Sequence, residues 1–255
     1  MDWILLKMPA ISLPAGANAI DPVSPVEGFG RHAAVDFVKG CSSILCDPEE
    51  RSAPVRSIRA HSAAHGRARH TVLTVFALGA QGGWEDAAGA AAKADATVVI
   101  VGLDVTQECE GHDRTNVTAP GGQNAFVKQV CDSAAGKPQE GFELRTVLRV
   151  DRLCCWSTGH QKACVVLIMS GSAVDSSEIE ALPSVGAVMW VGYPGERGGE
   201  AIANAVFGIS DEFGKMSFSI YKQAYYDHLS PLDFNMRPNA TTGSEGRTYR
   251  FCKAS

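Results

Sequence analysis

Thr97-Val98-Val99-Ile100-Val101, running without a break into Gly102-Leu103-Asp104-Val105-Thr106-Gln107-Glu108-Cys109-Glu110-Gly111-His112-Asp113-Arg114, decides how this sequence is read. The first five residues form a continuous β-branched run, the pattern of a strand covered on both faces. Upstream, Glu85 to Ala94 is alanine-rich and favours helix, so the two segments predict an αβ unit. The polar stretch begins where the strand ends, and ligand sites in open α/β sheets lie beyond the carboxyl ends of strands.

The same rhythm continues in both directions. Pro120-Gly121-Gly122-Gln123 opens a second helix, on which Phe126, Val127, Val130 and Cys131 recur at helical spacing and face the sheet. Val165 to Met169 and Val185 to Val191 predict two further strands. A helix from about Glu196 to Phe207 carries Ala201, Ile202, Ala205 and Val206 on one stripe and stops at Gly208. Ala33 to Val38 reads as another strand, and Lys215-Met216-Ser217-Phe218-Ser219-Ile220 as one more, followed by a tail that reads as a long surface loop. Helices alternating with apolar strands predict a doubly wound α/β fold with a mostly parallel sheet.

Bulk properties exclude several classes of function. The chain has 255 residues, 45% of them hydrophobic, and a formal net charge of -5, which gives no global attraction to nucleic acid or anionic lipid. No apolar run is long enough to span a bilayer, and Met1 to Lys7 lacks the basic region of a signal peptide. The eight cysteines include no Cys-x-x-Cys pair, so a structural zinc site is not expected. Asn116-Val117-Thr118 and Asn239-Ala240-Thr241 are glycosylation acceptors if the chain enters a secretory pathway.

Two segments break the rhythm. Residues 51–84 contain five arginines and three histidines but no acid, and about 139–163 places a Cys-Cys-Trp cluster between a helix and the strand it should feed. Connections in compact α/β domains are short, so both read as surface excursions or as sequence foreign to the fold. The division is then 1–50, a partial amino-terminal part of the α/β domain; 51–84, a basic insertion read as disordered; and 85–255, the α/β sandwich with its irregular insertion.

The Glu108-Cys109-Glu110 element, with His112, Asp113 and Arg114 close behind, supplies a proton donor and charged groups to tune it. A solvated loop with an ordinary Asp113–Arg114 surface pair is the plainer alternative. Other motifs carry less. Gly192-Tyr193-Pro194-Gly195-Glu196-Arg197-Gly198-Gly199 lacks the spacing of a phosphate-binding loop, and Ser170 has no nucleophile elbow around it. His61 and His65 have the spacing of a helical metal pair without its glutamate, and Trp190 on a strand reads as core rather than as a sugar platform.

Six blocks fall in order: GLDVTQECEGHDR (102–114), APGGQ (119–123), VVLIMSGSAVD (165–175), GAVMWVGYPGERGGEAIANAVFG (186–208), NMRP (235–238) and GRTYRF (246–251). Their order resembles the carboxyl-terminal domain of family 3 glycoside hydrolases, in the branch of plant-type β-xylosidases and bifunctional xylosidase/arabinofuranosidases. Val23 to Gly28 and the pair Cys41/Cys46 resemble the same branch, where the two cysteines form a local disulfide. The resemblance implies a retaining, exo-acting hydrolase of xylan-type oligosaccharides. Its aspartate nucleophile comes from an N-terminal (β/α)8 barrel, absent from this sequence, while the α/β sandwich supplies the acid/base. That role maps onto Glu110, with Glu108 as the alternative and His112, Asp113 and Arg114 in the substrate loop. It further implies an extracellular or cell-wall setting and no cofactor or metal, because the chemistry needs only carboxyls and water. Both ends look truncated against the family pattern, and the competing readings are a non-catalytic carbohydrate-binding or interaction module, or an inactive gene-model fragment.

Overall fold

In a computed structural model of the chain, the described residues are 23–41, 44–46, 58–60, 71–76, 83–135, 164–230 and 232–251. Their strands are β1 (Ala34–Lys39), β2 (Ile58–Ala60), β3 (Thr71–Phe76), β4 (Ala96–Gly102), β5 (Cys164–Met169) and β6 (Ala187–Trp190). They form one six-stranded sheet in the order β2-β1-β3-β4-β5-β6. Every pairing is parallel except that of β1 with β2.

Helices cover both faces, and the strand side chains alternate accordingly. On one face α2 (Trp84–Ala91), α3 (Gln123–Ala134) and the short α4 (Ser177–Glu180) pack against Val38, Val99, Val101, Val166 and Ile168. On the other, α1 (Pro25–Gly30) and α5 (Gly198–Val206) pack against Val35, Phe37, Val98, Ile100, Val165 and Leu167. Burial on both sides explains why β4 and β5 are apolar at nearly every position. Phe126 is fully buried with Trp84 edge-on to it at 5.7 Å, a burial worth roughly 1.5–3 kcal/mol.

Helix ends follow their sequence signals. Ser24 and Glu27 form a capping box, the Glu27 N–H donating to Ser24 Oγ and the Ser24 N–H to Glu27 Oε2. At the far end of α5, Gly208 adopts φ 66° and lets the Ile209 N–H reach the Asn204 carbonyl, closing the helix.

Three expectations change on contact with the structure. The basic 51–84 segment does not stand apart from the fold: its Thr71–Phe76 stretch is β3, hydrogen-bonded between β1 and β4 in the interior of the sheet. A short, largely apolar run rich in β-branched residues suffices for a strand whatever the charge of its flanks. By contrast, Lys215–Ile220 forms no strand; it is an irregular, largely exposed segment in which Phe218 meets Trp190 edge-on at 5.0 Å. The tail beyond Gly208 is not loop throughout, because it forms α6 (Gln223–His228) and a 3-10 turn at Tyr249–Phe251. His61, His65 and the 139–163 insertion lie outside the described residues.

Cys41 and Cys46 are bonded to each other. A second disulfide joins Cys131 on α3 to Cys164 at the start of β5, with Cα atoms 5.5 Å apart.

Candidate active site

The loop 102–114 leaves β4 at a point fixed by a buried side chain. The Gln123 carboxamide accepts the Gly102 N–H at 3.0 Å and donates to the Gly102 carbonyl at 2.8 Å and the Ile44 carbonyl at 2.7 Å. A fully buried glutamine is tolerated because its polar atoms all have partners.

Past Leu103 the chain turns back on itself. The Asp104 carbonyl accepts the N–H groups of Gln107 and Glu108, both at 3.0 Å, and its side-chain Oδ1 accepts the Thr106 N–H and hydroxyl. This turn aims Glu108 across the end of the sheet at the loop leaving β5. There Glu108 Oε1 accepts the Gly171 N–H at 2.7 Å, Oε2 accepts the Ser172 N–H at 2.9 Å, and the Tyr193 hydroxyl donates to Oε1. Gly171 leaves little room here: a Cβ would lie 2.9 Å from the Tyr193 ring and 3.1 Å from Glu108 Oε1, so a larger residue would have to displace the side chains of the clasp.

Electrostatics follow from that clasp. Burial pushes the Glu108 carboxyl up, but the hydrogen bonds from Ser172, Tyr193 and the Gly171 backbone together outweigh it and hold the pKa below the usual carboxylate value. Tyr193 is driven well above the usual phenol value, first by burial and then by its bond to Glu108. The Arg114 guanidinium donates to the carbonyls of Thr118 and Ala173 and to Ser172 Oγ. It therefore braces the same two loops rather than forming a surface pair with Asp113.

The second glutamate sits differently. Cys109 and His112 form an antiparallel bridge closed by the His112 N–H to Cys109 carbonyl bond, with Gly111 at φ 78°. Glu110 occupies the turn of this small hairpin and is exposed, as are His112 and Asp113. Of the residues expected at the site, Glu108 and Arg114 are brought together with the β5 loop, while Glu110, His112 and Asp113 face outward.

Tyr193, Gly171 and Ser172 were not singled out by sequence reasoning as parts of this site. The available signal was topological: β4, β5 and β6 are neighbours, so the loops leaving their carboxyl ends must meet. Trp190 is half-buried, its indole N–H donating to Ser170 Oγ at 2.9 Å, so it acts as packing behind the clasp. Asn116 is exposed, and its Oδ1 accepts the Thr118 N–H and hydroxyl; Asn239 is half-buried and accepts the Thr241 N–H. Among the described residues no group of three or more His, Cys, Asp or Glu side chains is placed to hold a metal, and none of their helices is long and apolar enough to cross a membrane.

Comparison with known proteins converges on one family. The glycosyl hydrolase family 3 C-terminal domain matches residues 17–139 and 146–251. The chain is 32% identical over 256 residues to beta-xylosidase/alpha-L-arabinofuranosidase 2 of Medicago sativa subsp. varia, covering 98% of this chain and 28% of that protein. It is 30% identical to beta-D-xylosidase 3 of Arabidopsis thaliana, covering 97% of this chain and again 28% of the relative. Among solved structures it is similar to a family 3 exo-beta-xylosidase in complex with a xylobiose aziridine activity-based probe. That match has a TM-score of 0.53 and 32% identity, and it covers 69% of this chain and 19% of the other. The chain thus spans somewhat more than a quarter of the length of these curated relatives.

Proposed function

The chain belongs to glycosyl hydrolase family 3, as its C-terminal domain, and on that premise we propose that it supplies the acid/base half of a retaining, exo-acting β-glycosidase site of the xylosidase type. Glu110 is the acid/base and Glu108 the structural clasp that holds its loop. The observation that carries this division of labour is the contrast between the two carboxylates. Glu108 already accepts bonds from two backbone N–H groups and a phenol, whereas Glu110 stands exposed at the turn of the Cys109–His112 hairpin.

In the reaction so assigned, a carboxylate of the (β/α)8 barrel implied by the family resemblance attacks the anomeric carbon. Glu110 delivers its proton to the departing glycosidic oxygen. Glu110, now ionised, then takes a proton from the water that hydrolyses the glycosyl–enzyme bond, which restores both carboxyls. The two carboxyls of a retaining site stand about 5 Å apart, so the barrel must close against the face that presents Glu110. Facing barrel and substrate also supply the burial that raises a general acid's pKa to its working range. The chain by itself is then inactive, and the substrates are terminal pentosides of xylan-type oligosaccharides. Exposed Asn116 suits an N-linked glycan, in keeping with an extracellular or cell-wall enzyme; Asn239, half-buried, is the less accessible of the two acceptors.

The test uses the sandwich joined to its barrel. Glu110→Gln abolishes most turnover of a xylobioside but far less with a dinitrophenyl xyloside, whose leaving group needs no proton. Glu108→Gln alters stability before chemistry. If Glu108→Gln instead shows the leaving-group dependence in a folded enzyme, the roles are reversed. That outcome would run against the bonds from Gly171, Ser172 and Tyr193, which hold the Glu108 carboxyl below the usual carboxylate pKa.

A further inference from the structure

Apart from the loop 102–114, the tail after Gly208 folds back to form a pocket of about 430 Å³. Its walls include Tyr221 and Tyr225, Phe251, and the hydroxyl-bearing residues Thr242, Ser244 and Thr248. The volume falls in the range of small-molecule sites, roughly 300–1,000 Å³. Tyr221 and Tyr225 stack at 4.3 Å with their planes 18° apart, which makes one rigid aromatic surface. Tyr221 remains 38% exposed, so part of this surface is open to a ligand.

We propose that this pocket is a saccharide-binding site, separate from the acid/base loop, that takes the pyranose rings of a neutral oligosaccharide. The chemistry of the lining selects that class. Sugar C–H faces pack on aromatic rings, and the hydroxyls around a pyranose need neutral donors and acceptors such as Thr and Ser. Among the described residues neither lysine nor arginine lines the pocket, so these residues do not offer the usual recognition of phosphate or carboxylate ligands; Glu245 and His228 at the wall add polar partners for hydroxyls. The loop that frames it is fixed by an antiparallel bridge between Asn239 and Ser244 and by the Arg247 guanidinium, which donates to the Ser230 carbonyl at 2.9 Å.

The pocket is also joined to the candidate active site. Gln223, first residue of the helix that carries Tyr225 and His228, accepts the Val117 N–H at 2.7 Å, while its own N–H donates to Asp175 Oδ2 at 2.7 Å. Val117 lies just past Arg114, so the helix is tied to both loops that enclose Glu108. The choice of a xylan-type ligand rests on the glycosidase reading, but the existence of the site does not.

The experiment is a calorimetric titration of the 255-residue chain with xylotriose, with far-ultraviolet circular dichroism to establish that each variant is folded. Saturable binding is expected, weakened about tenfold or more by Tyr221→Ala, retained by Tyr221→Phe, and unchanged by Glu110→Gln. No saturable binding by the folded chain, or equal binding by Tyr221→Ala, overturns the proposal. Loss of binding in Glu110→Gln also overturns it, because the ligand would then sit at the catalytic loop. Failure of the catalytic reading shows elsewhere, as undiminished turnover by Glu110→Gln in the barrel-joined enzyme.

Discussion

Replacing Glu108 with glutamine should cost stability through a route that pH exposes. The native carboxylate accepts two backbone N–H groups and the Tyr193 hydroxyl. A glutamine presents one acceptor oxygen and one NH2 group, so at least one of the Gly171 and Ser172 N–H donors loses its partner. A hydrogen bond to a charged group contributes about 1.5–3 kcal/mol. The carboxylate is only partly buried, so solvent screening trims the expected loss to about 1–2 kcal/mol. For a domain of this size that is a fall in Tm of about 2–8 °C at neutral pH.

The sign with pH follows from the depressed pKa. In the unfolded chain Glu108 titrates near 4.5 and in the folded chain below it, so its contribution is fully present above that value and is lost as pH falls through the folded pKa. Thermal melts of the wild type and Glu108→Gln at about pH 7 and about pH 3 should therefore show a gap that narrows on acidification. Glu110→Gln, an exposed substitution, should stay within about 0.5 kcal/mol of wild type. A gap of equal size at both pH values, or none at neutral pH, would refute the clasp.

Tyr193→Phe removes one donor to Glu108 and should move the carboxyl's titration upward, read by carbon-13 NMR of labelled glutamate. Gln123→Leu leaves the Gly102 N–H and the carbonyls of Gly102 and Ile44 without partners in a buried setting, and should cost about 2–4 kcal/mol in urea denaturation. Cys131→Ser opens the disulfide to Cys164 across a sequence separation of 33 and should lower stability by about 3–4 kcal/mol, with no further loss when Cys164→Ser is added.

Much of the sheet was legible because buried parallel strands advertise themselves. Val98 to Val101 and Val165 to Met169 are apolar on both faces, and their boundaries in the structure differ by a residue or two from those the pattern predicts. Thr71–Phe76 carried the same signal but was hidden by the arginines and histidines before it, since a composition count over 34 residues outweighs a six-residue run. Met216, Phe218 and Ile220 alternate as a strand should, yet a strand exists only when another edge pairs with it, and a single sequence does not say which edges are free. For the candidate site, the sequence offered the residue types of the loop and its place at the end of β4. The inequality of Glu108 and Glu110 was not legible, because it comes from donors on Gly171, Ser172 and Tyr193, more than 60 residues away along the chain.

The bond between Cys131 and Cys164 also bears on how this fold tolerates change in chain length. It pins the last part of α3 to the first residue of β5, Cα to Cα 5.5 Å, irrespective of how many residues connect them. Closing a longer connection costs only a logarithmic increment of entropy. Whatever the length of the connection, the start of β5 stays tied to α3, and β5 delivers Gly171 and Ser172 at its other end. The bracket thus sets the register of β5 against α3 by a covalent bond rather than by the length of the chain between them.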